Sequence, residues 1–158
     1  MIVVADLSVP ASEFVFRETL PAHSSVELEL LELAPTGERP TSHCWIAGRD
    51  RDVAAFAGAI GESPRIDAIA PLDDRRERVL YRIEWVELPG PLADALGDYE
   101  IGFQRARGSA DGWHLRLQCP DRGTLSAIQQ EAIDAAVDAT VDRVYRPDAV
   151  EEPGTASL

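Results

Sequence analysis

From Gly112 to Cys119 apolar and polar residues alternate: Trp113, Leu115, Leu117 and Cys119 on one side, His114, Arg116 and Gln118 on the other. Successive side chains of a β-strand point to opposite faces, so this segment reads as a strand with one buried and one wetter face. Asp111-Gly112 before it suits a hairpin turn, because glycine takes positive φ without penalty. Pro120 ends the strand and leaves Asp121 as the N-cap of a helix. A histidine, an arginine, a thiol and two acids within a dozen positions are thus explained by scaffold before chemistry is needed.

Other segments carry similar signals. Ile2 to Val9 predicts a short apolar strand closed by Pro10, and Glu13 to Leu20 a short helix. Val26 to Leu33 alternates and then slips in phase at Leu31, as a β-bulge would make it do. Residues 35–40 hold Pro35, Gly37 and Pro40 and form a turn cluster. Beyond it the pattern of strand, helix and strand recurs three times: His43–Ala47, Asp52–Ile60 and Ile66–Leu72; then Val79–Trp85, Pro91–Leu96 and Ile101–Arg107; then 112–119, Gly123–Val137 and Val141–Tyr145. Short turns at Asp73–Arg76 and Gly108–Asp111 join the copies. The expected fold is α+β: ferredoxin-like repeated β-α-β units forming a mainly antiparallel sheet with helices on one face. Its other face would be open, covered by the N-terminal strands, or used for assembly. Residues 1–147 are expected to form a single domain and 148–158, rich in acid, Ala, Pro, Gly and Ser, a flexible linker or tail.

A chain of 158 residues can bury a core without disulfides or metals. Its 15 basic residues, all Arg, face 28 acids for a net charge of −13, and Lys and Asn are absent. At about 1 M salt the Debye length falls to about 3 Å and such self-repulsion is screened, which suits a salt-loving host. An acidic protein from a GC-rich genome would show the same Arg-for-Lys bias. Acidity argues against nucleic-acid binding by this segment, since that affinity comes from neutralising phosphates. The N-terminus lacks a basic leader and no apolar run approaches the length of a membrane span, so a cytoplasmic location with no membrane partner is expected.

The chain contains no G-x-S-x-G, G-x-G-x-x-G, G-x-x-x-x-G-K or H-E-x-x-H motif. Cys44 and Cys119 form no C-x-x-C pair. His43 and Cys44 oppose one another on a strand, as do His114 and Cys119, so four converging ligands are not expected and neither a metal nor a cofactor is. Asp73, Asp74 and Glu77, interleaved with arginines, read as a solvated turn. Trp45, Trp85 and Trp113 are all expected to pack inward. The remaining constellation is polar: Arg82 and Glu84, with His114, Arg116 and Gln118, fall on the wet faces of strands expected to be neighbours. They form a candidate face for an anionic small ligand or for a second subunit.

The opening MIVVADLSVPASEFVF, the turn PTGERP, the strand VLYRIEW, and GSADGWHLRLQCPDRGTLSAIQQ followed by VYRPD carry a likeness along nearly the whole chain. It resembles the N-terminal, GAF and helix-turn-helix associated domain of haloarchaeal bacterio-opsin activator-type regulators. That resemblance implies a transcription-regulation protein without catalytic activity, whose domain senses, dimerises or regulates while DNA is bound by a C-terminal helix-turn-helix segment. This sequence stops about where that segment would begin, so no residue here is expected to contact DNA. The alternative expectation is a free-standing ACT-like module that binds a small ligand.

Overall fold

In the computed structural model, which describes residues 1–34, 40–86 and 102–147, eight strands form one sheet. They are β1 (Val3–Val9), β2 (Glu27–Ala34), β3 (Thr41–Ala47), β4 (Ile66–Asp74), β5 (Arg78–Trp85), β6 (Gly102–Ser109), β7 (Gly112–Cys119) and β8 (Thr140–Tyr145). Two α-helices are described, α1 (Asp50–Gly61) and α2 (Arg122–Asp134). The strand order is β4-β5-β3-β2-β6-β7-β1-β8, and all seven neighbouring pairs are antiparallel.

This corrects the ferredoxin-like expectation. The sheet is not three stacked β-α-β units: the N-terminal strands are not a cover for its second face but members of it. β2 lies at the centre, and β1 is held between β7 and β8. The chain instead forms two matching halves. In one, the hairpin β2–β3 leads through α1 to β4 and β5, in the spatial order β2-β3-β5-β4. In the other, β6–β7 leads through α2 to β8, and the place of β5 is taken by β1 from the far end of the sequence. The halves meet where Leu28 pairs with Gly108 and Glu29 with Arg107.

The core follows from alternation. Val3, Ala5, Leu7 and Val9 lie opposite Cys119, Leu117, Leu115 and Trp113, all buried. Cys44, Ile46, Ile83 and Trp85 continue that face across the other half. Helix α1 adds Val53, Phe56 and Ile60, and α2 adds Leu125, Ile128 and Ala132, at the spacing that puts them on one stripe. Fully burying such side chains stabilises the fold by about 1.5–3 kcal/mol each. Trp85 Nε1 donates to Ser42 Oγ at 3.0 Å, which satisfies two polar atoms inside the core. At Gly108 an added Cβ would lie 2.6 Å from the Trp113 indole, so the packing of β6 against that ring requires glycine.

Local expectations fare differently from the global one. The hairpin at Gly112 forms with φ +137°, and Asp121 accepts from Thr124 N at 2.7 Å as the N-cap of α2. The slip in β2 is a register shift between Leu30 and Glu32. Glu13 to Leu20 is not an α-helix; 3-10 turns at Ala11–Glu13 and Leu20–Ala22 flank Phe16, whose φ of 58° is incompatible with a right-handed helix. That backbone lets the Phe16 ring stack on Trp85, centroids 5.3 Å apart, and meet Phe56 edge-on at 5.8 Å. The helix expected at Pro91–Leu96, most of the turn cluster at 35–40 and the tail at 148–158 lie outside the described residues. No helix among the described residues is long and apolar enough to cross a membrane.

Candidate functional site

The face of the sheet away from the helices carries the polar residues. Pairing defines one row that crosses all eight strands: Asp73, Leu80, Trp45, Glu29, Arg107, His114, Ser8 and Thr140. Directly opposed residues of antiparallel strands share a face, so this row and its i±2 neighbours make up the open surface.

All five residues expected to form a ligand or partner face lie on this surface, but in two groups. Arg82 and Glu84 are on β5; His114, Arg116 and Gln118 are on β7. Three strands separate β5 from β7, a distance of about 19 Å at the usual strand spacing. The strands are not neighbours, and that part of the expectation is corrected. Most of these side chains also have local partners. Arg82 Nη1 is 3.7 Å from Glu84 Oε2, and Gln104 Nε2 donates to Gln118 Oε1 at 2.8 Å. Arg116 donates to both carboxylate oxygens of Asp6, at 2.8 and 3.3 Å. That charged hydrogen bond, with the fields of Arg116, Arg143 and Arg105, holds the Asp6 carboxyl below the ordinary carboxylate value against a partial desolvation cost.

Between the two groups, at the seam of the halves, lies an open basin of about 360 Å³. Its polar lining comes from both sides: Glu27, Glu29, Trp45 and Arg78 from one half, Arg107 and His114 from the other. The Arg78 guanidinium sits 4.0 Å from the Trp45 ring centroid and its Nη1 is 3.6 Å from Glu29 Oε1. Arg107 is exposed and makes no hydrogen bond or ion pair among the described residues. Sequence reasoning missed Glu29, Trp45, Arg78 and Arg107. Trp45 in particular is half-buried on the open face, whereas Trp85 and Trp113 are 2% and 0% exposed. The signal was available: Trp45 stands two residues from His43 and Ala47, out of phase with Cys44 and Ile46.

Ser8, His114 and Asp142 also meet on this surface. Ser8 Oγ donates to Asp142 Oδ2 at 2.5 Å and lies 3.4 Å from His114 Nδ1. The order is not that of a nucleophilic triad, in which histidine stands between serine and acid. A hydroxyl has one proton and here gives it to Asp142, so Ser8 Oγ can only accept from His114, in the tautomer that carries its proton on Nδ1. The thiols sit elsewhere. Cys44 and Cys119 face the core while His43 and His114 face out, and burial pushes the Cys44 thiol up to about 12, far from a reactive thiolate. Among the described residues no group of three or more His, Cys, Asp or Glu is placed to hold a metal ion. No protein-family model matches this sequence, and no curated protein matches it either.

Proposed function

We propose that this chain is a non-catalytic sensing module of a transcription regulator, of the kind its sequence resembles, and that the basin at the seam takes its small ligand. The observation that carries this reading is the origin of the basin's lining: two halves of one sheet, paired directly at Leu28–Gly108 and Glu29–Arg107, contribute to one depression. A ligand that touches both halves stabilises one angle between them, and differential affinity for that angle is what a sensor requires. Arg107 offers an unengaged guanidinium to an acidic group, and the exposed part of the Trp45 ring offers a surface to a planar one.

Thermal-shift screening of acidic and aromatic metabolites tests this reading. The expected hit loses its effect in Arg107→Ala and in Trp45→Ala, but not in Arg82→Ala on the distant β5. Hits that ignore both basin substitutions would reject the site. Tight, sequence-specific promoter binding by residues 1–158 alone would reject the assignment of DNA contact to another segment.

A further inference from the structure

We propose a second site on the open face of the β6–β7–β1–β8 half, adjoining the seam basin at His114, one that takes a phosphate-like oxyanion between Arg105 and Arg143. Its position is a depression of about 330 Å³ lined by Asp6, Arg105, His114, Arg116, Asp142 and Arg143.

Charge placement is the first argument. The strands β1, β6, β7 and β8 carry four arginines, at 105, 107, 116 and 143, against two acids, Asp6 and Asp142. In a chain with a net charge of −13 this local excess of cation runs against the composition. The second argument is register. Arg105 is paired directly with Arg116, so two guanidinium groups start from opposed positions on one face. Like charges so placed destabilise a strand pair unless an anion relieves them.

The acids within reach supply that anion only in part: Asp6 is hydrogen-bonded to Arg116 and feels Arg105 and Arg143 chiefly through space. Asp6 lies on the other side of Arg116, from which it already accepts two hydrogen bonds, and Asp142 accepts from Ser8. Arg105 is exposed, makes no hydrogen bond or ion pair among the described residues, and acts on Asp6 only through space. Arg143 approaches Asp6 Oδ2 at a long 3.9 Å and rests on the Tyr145 ring, 4.3 Å from its centroid, with most of its side chain in solvent. The Asp6–Arg116 pair therefore acts as a brace that keeps one guanidinium in place, while Arg105 and Arg143 retain donors for a ligand. An oxyanion with several acceptor oxygens matches such forked donors better than chloride does. The same chemistry is offered by free phosphate and by the phosphate group of a metabolite.

The test is thermal unfolding and isothermal titration of residues 1–158 at constant ionic strength, with inorganic phosphate in one arm, adenosine monophosphate in the other and chloride as the reference. Arg105→Ala and Arg143→Ala are suitable variants, because both side chains are exposed and neither supports the core. Binding in either arm that weakens about tenfold per substitution supports the site, the arm identifying free or carried phosphate. Trp45→Ala should leave the inorganic phosphate response intact, which separates this site from the seam basin. Protection no greater than that of chloride in both arms, or protection undiminished in the double variant, would overturn the proposal.

Discussion

Asp6 shows how much one residue settles on the open face. Its carboxyl titrates below the ordinary 3.8, first because Arg116 donates to it. A folded value below the unfolded one means that the pair adds stability above the usual carboxylate range and loses it as the pH falls through the lowered value. Asp6→Asn is expected to be less stable than the parent near neutral pH by about 1 kcal/mol, given that both partners are partly exposed. Melts from pH 7 downward should show that difference closing as the pH drops below the ordinary 3.8. A gap that stayed constant into strong acid would assign the loss to packing instead of charge. At the same scale, the three tryptophans show what alternation can and cannot sort. Trp85 and Trp113 were legible as core because each is in phase with an apolar residue two positions away in its own strand, Ile83 and Leu115, and out of phase with a polar one, Glu84 and His114. Trp45 needed its phase read against Cys44 and Ile46 as well as its own hydrophobicity, which alone suggests burial.

At the level of elements, strands and caps were legible because their causes are local: alternation for β3, β5 and β7, a glycine at the β6–β7 turn, and Asp121 ahead of α2. Where a helix ends was less so. Apolar spacing extends the expected helix to Val137, yet α2 stops at Asp134 because Ala136 takes φ 58° and Val137 N turns back to Ala132 O at 2.8 Å. A left-handed closing residue of this kind is usually glycine, and alanine there carries a steric cost. Ala136→Gly should accordingly raise stability by about 1 kcal/mol in urea unfolding, with the m-value unchanged. Destabilisation of similar size would mean that the Ala136 methyl contributes packing that outweighs its backbone strain. The candidate site was half legible for a related reason: residues 82, 84, 114, 116 and 118 were assigned to the correct face, but which strands adjoin is decided by pairing, and no local period encodes that.

For the molecule as a whole, strand order was the part the sequence concealed. β1 pairs with segments more than a hundred positions away, and a reading by supersecondary units has no term for such partners. Net charge also acts at this scale. If the −13 is self-repulsive, raising salt from about 0.1 M to about 1 M, which shortens the Debye length from about 10 Å to about 3 Å, should raise the melting midpoint by on the order of 5 °C. A flat or falling midpoint would favour codon bias over salt adaptation as the origin of the acidic composition. The borrowed position of β1 has a further consequence for biogenesis. A nascent chain releases Val3–Val9 from the ribosome about a hundred residues before either flanking strand is made, so this buried apolar segment waits without its partners until β7 and β8 have emerged. That half of the sheet therefore closes only once residues 112–145 are available, and in the interval an unpaired apolar strand is open to aggregation.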